Sequence, residues 1–196
     1  MNRRDRRAAA TNSRAASDDI DAVSSAALYE AGLHHLRASR NLDALIYCKK
    51  ALAIDPSSAD ALHLMGLLSL ETGHWDLAVE WIANAIRQNP QARYLSSLGV
   101  ALQRQGRREE ALQAFGKAVQ LTPDDAVLWT SLGIVLDELQ CPSDAVLCFR
   151  HALRLDPRQL EAACWSAVLL YQLGRGQEAL VHIALCDEAW PHKAPT

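Results

Sequence analysis

The chain has 196 residues, of which 49 % are hydrophobic and 22 % charged, and its formal net charge is −3, a composition typical of a folded, soluble protein. No acidic or basic partner follows from this nearly balanced charge. No apolar run approaches the roughly 20 residues that span a bilayer, and no apolar signal segment follows the arginine-rich start, so we expect a cytoplasmic location.

The first 24 residues differ from the rest of the chain. Five arginines and four aspartates are set among alanines and serines, and the apolar residues show little periodicity. We predict a disordered tail of mixed charge over residues 1–24. The cluster from Arg3 to Arg7 keeps open a contact with nucleic acid. The neighbouring aspartates weaken phosphate affinity, so a solvated tail is the favoured interpretation.

Prolines then recur at a nearly constant interval. Five of them are separated by 34, 33, 34 and 34 residues: Pro56, Pro90, Pro123, Pro157 and Pro191. Glycines and alanines keep the same step, and a fixed period of this length indicates a stack of similar units. We predict five units followed by a short tail at 194–196. The units are 25–58, 59–91, 92–125, 126–159 and 160–193.

Apolar residues inside each unit follow helical spacing. In the third unit they recur every three or four positions on both sides of Gly106, which predicts two amphipathic helices. Glycine commonly ends a helix, and Gly73 and Gly174 hold the same place in units two and five. The proline near the end of each unit cannot continue a helix. We therefore predict a helix, a tight turn and a second helix in every unit, and no strands.

Small residues recur where these helices would meet. Counted from the start of each unit, position 8 is glycine in four units, position 20 is always alanine, and position 27 is alanine in four units. Glycine inside a helix costs about 1 kcal/mol relative to alanine, so we interpret position 8 as a site of close approach between helices. Large residues such as Phe115 and Trp129 fill the space around it.

This pattern resembles the tetratricopeptide repeat. The fourth unit matches it well, through Trp129, Leu132, Gly133, Ala145, Phe149, Ala152 and Pro157. The first unit departs from it at His35 and Cys48, and the fifth at Ala163, Ser166 and Ala167. The resemblance implies an all-α, right-handed α-solenoid of about five tetratricopeptide repeats (ten helices), whose first helices line a concave groove that holds the ligand.

The stretch from His63 to Leu102 is also similar to the repeats that precede the catalytic region in bacterial proteins related to O-GlcNAc transferases. This similarity concerns the repeats alone. The five units cover 169 of the 196 residues, and the remaining 27 are too few for a glycosyltransferase domain. We therefore expect any transfer activity to lie outside this chain.

The sequence contains no recognisable catalytic or metal-binding motif. HExxH, P-loop, GxSxG and GxGxxG patterns are absent, and the seven histidines are scattered. The adjacent His34 and His35 would face different sides of a helix, which is poor geometry for one metal. Five irregularly spaced cysteines predict reduced thiols rather than a disulfide framework. We predict a protein that is not an enzyme and uses no cofactor or metal.

The resemblance implies that positions 2, 5, 6, 9, 12 and 13 of each unit line the groove. The candidate contacts are Tyr29, His63, Arg93, Ser97, Arg104, Thr130, Ser131, Glu138, Trp165 and Tyr171. The lysines and asparagines of the chaperone-tail clamp are missing, as is the asparagine ladder of O-GlcNAc transferases. An apolar strip remains, formed by Leu33, Leu64, Leu67, Val100, Ile134 and Val168. It suits an extended peptide or an amphipathic helix, while packing between units explains its leucines equally well.

We predict a protein-interaction scaffold, or adaptor, that binds a peptide or helical segment in this groove. The alternative is an accessory substrate-recognition subunit for a separate glycosyltransferase. Ile183, Leu185 and Trp190 predict an apolar edge at the last unit, which would serve self-association unless the last helix turns it inward. Neither nucleic acid nor a membrane is expected as a partner.

Overall fold

Ten α-helices and no strands form residues 24–189, which are the residues that the structure, a computed structural model, describes, with side chains as far as residue 184. The helices are α1 (Ser25–Arg37), α2 (Asn41–Ile54), α3 (Ala59–Glu71), α4 (Trp75–Gln88), α5 (Ala92–Arg104), α6 (Arg108–Leu121), α7 (Ala126–Glu138), α8 (Pro142–Leu155), α9 (Leu160–Gln172) and α10 (Gly176–Ala189). Residues 1–23 of the predicted tail, which include the Arg3–Arg7 cluster, lie outside the described residues. The side chain of Leu185, Trp190 and the predicted tail at 194–196 lie outside them as well. The predicted all-α fold of helix pairs is confirmed.

Polar side chains fix where several first helices begin. The Ser24 hydroxyl accepts a hydrogen bond from the N–H of Ala27 at 3.1 Å and so caps α1. The Asp125 carboxylate accepts one from the N–H of Val127 at 2.9 Å and caps α7. These caps satisfy N–H groups that find no partner within the first turn of a helix.

Residues in the left-handed region follow the first helix of each pair. Gly73, Gly106 and Gly174 have φ angles of 76°, 76° and 74°, which glycine adopts without the steric cost of a Cβ. The predicted helix ends at these glycines are therefore confirmed. Ser39 and Gln140 hold the equivalent places with φ angles of 56° and 61°, a conformation that is disfavoured for residues with a side chain.

The helices pack as a stack of pairs. The two helices of each pair pack along each other, and the second helix of each pair packs against the first helix of the next. First helices also contact one another, α1 with α3, α3 with α5, and α7 with α9. This is the nearest-neighbour packing of a solenoid, in which each unit buries its apolar surface against the next one.

Glycine at position 8 allows aromatic rings to fill the space between paired helices. A Cβ built on Gly99 would lie 2.7 Å from the ring of Phe115, and one built on Gly133 would lie 2.6 Å from the ring of Phe149. Both rings are fully buried. Since real Cβ contacts essentially never fall below 3.0 Å, the interpretation of position 8 as a site of close approach is confirmed.

The first repeat keeps its packing despite its unusual residues. Cys48 is fully buried, and its thiol donates a hydrogen bond to the carbonyl of Ala61 in the next pair at 3.1 Å. Burial raises the pKa of this thiol to about 12, which keeps it protonated and unreactive. His35 stacks on Tyr47 at a centroid distance of 5.0 Å. A cysteine and a histidine thus replace the larger apolar residues of the pattern.

The last pair exposes side chains that the other pairs bury. At position 24, Cys48, Ile82, Phe115 and Phe149 are fully buried, whereas Ile183 is 40 % exposed. In each of the first four pairs, the next pair packs against the second helix. No helix pair follows α10 within residues 24–189, so this surface stays open there.

Candidate protein-binding groove

The first helices α1, α3, α5, α7 and α9 form one surface, which we call the inner face. Its first part carries a polar cluster built from three successive helices. Arg93 on α5 forms a salt bridge with Asp60 on α3, and the Tyr94 hydroxyl donates a hydrogen bond to the same carboxylate. Arg93 also donates to the hydroxyl of Tyr29 on α1 at 3.4 Å. Its side chain therefore links three consecutive repeats.

His63 lies beneath this cluster and is 5 % exposed. Its Nε2 is 2.9 Å from the hydroxyl of Ser97, and its ring packs on Tyr94 at a centroid distance of 4.6 Å. Burial, reinforced by the charge of Arg93, lowers the pKa of His63 to about 4. The imidazole is therefore neutral near pH 7. Its buried Nδ1 has no hydrogen-bond partner within the described part of the chain.

Several predicted groove residues have their partners inside the protein. Tyr29, His63 and Thr130 are 5 %, 5 % and 1 % exposed, because position 5 faces the neighbouring first helix. Thr130 donates to the carbonyl of Ala126 at 2.9 Å and accepts from the side-chain amide of Gln159 at 3.0 Å. Their packing leaves almost no side-chain surface for a ligand to touch, and a direct ligand contact at these three residues stays a prediction.

The hydroxyls predicted at position 6 are likewise bonded within their own helices. Ser97 donates to the carbonyl of Arg93 at 3.0 Å, and Ser131 donates to the carbonyl of Val127 at 3.0 Å. Both side chains are half-buried. They present a polar edge on the inner face rather than a pair of unsatisfied donors.

A pocket of about 670 Å³ opens near the carboxyl ends of α1, α3 and α5. Five aliphatic side chains form its apolar lining, and the remaining lining is polar or aromatic. The aliphatic residues are Leu33, Leu36, Leu67, Leu70 and Val100, and the others are Arg37, Ser39, Glu71, Trp75 and Arg104. We call this the N-terminal pocket. Of the ten candidate contacts, Arg104 lies on it.

Most residues that line this pocket are at the predicted groove positions, but two are not. Positions 9, 12 and 13 of the first three units supply most of the lining. Trp75 and Ser39 come from outside the first helices, at the start of α4 and in the turn after α1. The family pattern for first helices carried no signal for them. Leu64, which was predicted in the apolar strip, is fully buried instead.

The remaining candidates lie on the last two repeats. Glu138 accepts a hydrogen bond from the side-chain amide of Gln103 at 2.6 Å and pairs with Arg108 at 3.3 Å. Trp165 and Tyr171 are 37 % and 75 % exposed. Trp165 lines a cleft of about 250 Å³ with Glu161, Cys164 and Val168. The ten predicted residues are thus divided among the polar cluster, the N-terminal pocket and this more open surface.

The described residues contain neither a metal site nor a helix that could cross a membrane. Over residues 24–189, no three side chains of histidine, cysteine, aspartate or glutamate come together in a way that could hold a metal ion. The longest helices in the same part of the chain have 14 residues, and none is long and apolar enough to cross a membrane.

Family models of the tetratricopeptide repeat match the sequence at residues 92–125, at residues 35–99, and at residues 1–59 and 130–191. The matches agree with the stacked helix pairs and with the glycine contacts described above. The chain belongs to the tetratricopeptide repeat family. As in other members, such a solenoid is a scaffold for protein–protein interaction.

Individual proteins are similar to this chain over most of its length. The type IV pilus assembly protein PilF of Pseudomonas aeruginosa is 34 % identical over 149 residues, which cover 74 % of this chain and 59 % of PilF. A solved structure of P. aeruginosa PilF superposes with a TM-score of 0.81 at 30 % identity, covering 86 % of this chain and 78 % of that one. MamA superposes with a TM-score of 0.72 at 20 % identity, covering 80 % and 92 %, which shows the shared fold.

The similarity to glycosyltransferase-associated repeats is lower. The barley protein SPINDLY, a probable UDP-N-acetylglucosamine–peptide N-acetylglucosaminyltransferase, is 27 % identical over 142 residues, which cover 68 % of this chain and 15 % of SPINDLY. This chain spans less than two thirds of the length of the first curated relatives that it matches.

Proposed function

We propose that this protein is a scaffold that binds a segment of a partner protein in the N-terminal pocket. The pocket carries the proposal because it combines a large apolar lining with charged groups at its rim. Five aliphatic side chains from three helices supply hydrophobic surface, which provides affinity, while a few polar groups orient the ligand.

The charges at the rim favour an acidic group in the partner. Arg37 and Arg104 are exposed and form no salt bridge with any residue between 24 and 184, and Glu71 lies on the same lining. The three residues together leave a net charge of +1. A carboxylate placed beside an arginine guanidinium makes a charge-assisted hydrogen bond. We therefore propose an apolar segment, extended or helical, that carries a carboxylate near one end.

A charge-reversed pocket tests this function directly. We expect Arg37→Glu combined with Arg104→Glu to abolish capture of the partner in a crosslinking pull-down from the source cells, with identification by mass spectrometry. The matched control is Arg87→Glu combined with Arg158→Glu, which makes the same charge change at two exposed arginines outside the pocket. Circular dichroism melts establish that both variants are folded. Equal capture by the pocket variant and the control would refute binding in this pocket.

The similarity to PilF supports a second candidate function. We propose that the partner belongs to a machinery that assembles surface filaments, since PilF is a type IV pilus assembly protein and matches 74 % of this chain at 34 % identity. Deleting the gene should remove or shorten such filaments in electron micrographs of the source cells, and the wild-type gene should restore them. Unchanged filaments would exclude this role without affecting the pocket.

The role as an accessory subunit of a separate glycosyltransferase rests on the repeat similarity to SPINDLY. The same pull-down tests it, since a transferase should then be among the captured proteins and should be lost with the pocket variant. A partner list without any transferase would reject this alternative. The cytoplasmic location stays a prediction that cell fractionation checks.

Self-association through the last repeat is supported by exposed apolar side chains on α9 and α10. Val168, Leu180 and Ile183 are 50 %, 57 % and 40 % exposed. If this surface joins two copies, sedimentation velocity should show a dimer that Val168→Asp converts to a monomer. A wild-type protein that is monomeric at all concentrations would exclude it.

A further inference from the structure

The second helices of the last two repeats form a notch on the side of the molecule away from the inner face. It has a volume of about 420 Å³ and lies between α8 and α10. Leu147, Arg150, Leu153 and Arg154 come from α8, and His182 comes from α10. The N-terminal pocket is formed by other helices, so the two sites share no residue.

The notch carries an excess of positive charge. Arg150 and Arg154 are both exposed and form no salt bridge with any residue of the described chain. Glu178 is a nearby carboxylate, and both of its oxygens accept hydrogen bonds from Arg175 at 2.7 Å. Arg175 is the main cause of the lowered pKa of Glu178, to which the charge of Arg150 contributes less. The notch therefore keeps an excess of positive charge for a ligand.

Two histidines contribute to the polar side of the notch. Arg154 donates a hydrogen bond to Nδ1 of His151 at 2.6 Å, which orients its guanidinium. The buried Nδ1 of His182 has no hydrogen-bond partner within the described residues. Burial, reinforced by the charge of Arg150, lowers the pKa of His182, so its ring is a neutral hydrogen-bonding group beside the two cations.

The other side of the notch is apolar. Leu147 is 61 % exposed, and Leu153 is half-buried at the floor. The aliphatic stems of the two arginines extend this apolar surface, as is usual for long basic side chains. An exposed leucine beside an unpaired arginine suits a ligand that offers an apolar side chain next to a carboxylate.

This combination does not recur in the earlier repeats. Arg150 and Arg154 are at positions 25 and 29 of the unit. The equivalent pairs of residues are Lys49 and Ala53, Ala83 and Arg87, and Gly116 and Gln120. Among the second helices of the first four repeats, α8 alone has arginine at both positions. The two arginines are one turn apart on the same side of the helix.

We propose that the notch between α8 and α10 is a second docking site, which binds an acidic protein segment with alternating carboxylate and large apolar side chains. Charge complementarity identifies this occupant, because unpaired arginines prefer carboxylates and form charge-assisted hydrogen bonds with them. The notch is a cleft of about 420 Å³, a size that suits a few side chains of a peptide rather than an extended lipid surface. The protein would then hold two segments at once, one on the inner face and one here.

A defined peptide tests the site without knowledge of the natural partner. The probe is a fluorescein-labelled peptide with three Glu-Leu dipeptides, and its matched control has glutamine in place of every glutamate. We expect the acidic peptide to bind the full chain in a fluorescence anisotropy titration and to shift the ring resonances of His182 in NMR spectra. We expect Arg150→Gln combined with Arg154→Gln to weaken binding about tenfold or more, since each lost charge-assisted hydrogen bond contributes several-fold to affinity.

Controls separate this site from the inner face. Arg87→Gln combined with Arg158→Gln removes the same charge elsewhere and should leave the affinity unchanged. The notch variant should also weaken the peptide binding that remains when Arg37→Glu and Arg104→Glu are already present, because the N-terminal pocket then no longer favours a carboxylate. Leu147→Ser should weaken binding several-fold, because it removes exposed apolar contact surface without touching the core.

Three outcomes would overturn the proposal. The first is equal affinity for the acidic peptide and its glutamine control. The second is equal binding by wild type and by the notch variant. The third is arginine-dependent binding to phosphatidylglycerol vesicles with no binding of the peptide, which would make the notch a lipid contact instead.

Discussion

The first three repeats and the last two build the inner face differently. In the first three, Asp60, Arg93 and Tyr94 join neighbouring helices, and the N-terminal pocket opens beside them. In the last two, Trp165 and Tyr171 are exposed on α9 and contribute to a more open surface. Both regions have the same helix pairs, so the difference resides in the side chains and in their neighbours.

This contrast shows that the neighbouring repeat determines whether a repeated position is buried. Position 5 is nearly fully buried at Tyr29, His63 and Thr130, whereas Cys164 at the same position is exposed. No first helix follows α9 among residues 24–189. A side chain that packs between repeats elsewhere therefore contributes to the surface of the last one.

The largest difference should appear when tyrosines from the two regions are compared. Tyr94 is fully buried, and Tyr171 is 75 % exposed. We expect Tyr94→Ala to lower the free energy of unfolding by about 4 kcal/mol, because it removes a large buried ring and leaves Asp60 without one of its donors. Tyr171→Ala should change it by less than about 0.5 kcal/mol. Urea denaturation measures both, and comparable losses would contradict the contrast.

The buried imidazole of the first region should make stability depend on pH. The pKa of His63 is about 6.5 in the unfolded chain, and burial lowers it to about 4 in the folded protein. As the pH falls, the unfolded chain binds the proton first. This contribution to stability is therefore complete above the unfolded pKa and is lost as the pH falls towards the folded pKa.

We expect a loss of about 2 kcal/mol from this residue between pH 7 and pH 5. His63→Gln should flatten the dependence in this range, whereas His34→Gln, at an exposed site, should keep the wild-type slope. Urea titrations at several pH values provide the measurement. An unchanged slope in His63→Gln would show that this ring does not control the pH dependence.

The glycine contacts should behave alike in both regions, because the packing within each helix pair is the same in the two. A Cβ at Gly99 or Gly133 would collide with Phe115 or Phe149. We expect Gly99→Ala and Gly133→Ala each to destabilise the fold by about 1–2 kcal/mol, because overpacking outweighs the gain in helix propensity. In Gly116→Ala, no described atom lies within 4 Å of the new Cβ, and a gain of up to about 1 kcal/mol is expected. Thermal melts in which all three variants have a higher melting temperature than the wild type would refute close packing at position 8.

The smallest effect concerns the turn within the fourth repeat. Gln140 has a φ angle of 61° where the second, third and fifth repeats have glycine. Gln140→Gly should raise the free energy of unfolding by up to about 1 kcal/mol, because glycine adopts this conformation without strain. Gly106→Ala should lower it by a similar amount. A destabilised Gln140→Gly variant would show that its side chain contributes something that the turn geometry does not require.

Much of the fold could be predicted because its signals are local. The 34-residue step, the glycines after the first helices and the helical spacing of apolar residues each specify backbone structure within a few residues. Gly106 and Gly174 were predicted to end helices, and they do so with positive φ angles. The pairing of Gly99 with Phe115 could also be inferred, because one repeat contains both residues.

The candidate site was less accessible to sequence reasoning. Positions 9 and 12 correctly indicated Leu33, Leu36 and Val100 in the apolar lining, but Trp75 comes from the start of a second helix. His63 and Tyr29 were predicted on the open groove, while the structure packs them between helices of different repeats. Such contacts join residues 34 or 64 positions apart, and the pattern of a single unit does not specify them.

The sequence by itself determined the repeat, the ten helices and the residues that keep each pair together. The tertiary structure decided which polar residues of the inner face bind one another and which remain available for a partner. Arg93 and Arg104 illustrate the difference, since both were groove candidates. Arg93 is bonded to Asp60, whereas Arg104 lies on the N-terminal pocket. The physical reason is that helix formation depends on near neighbours in the chain, while burial and ion pairing depend on what the next repeat places opposite each side chain.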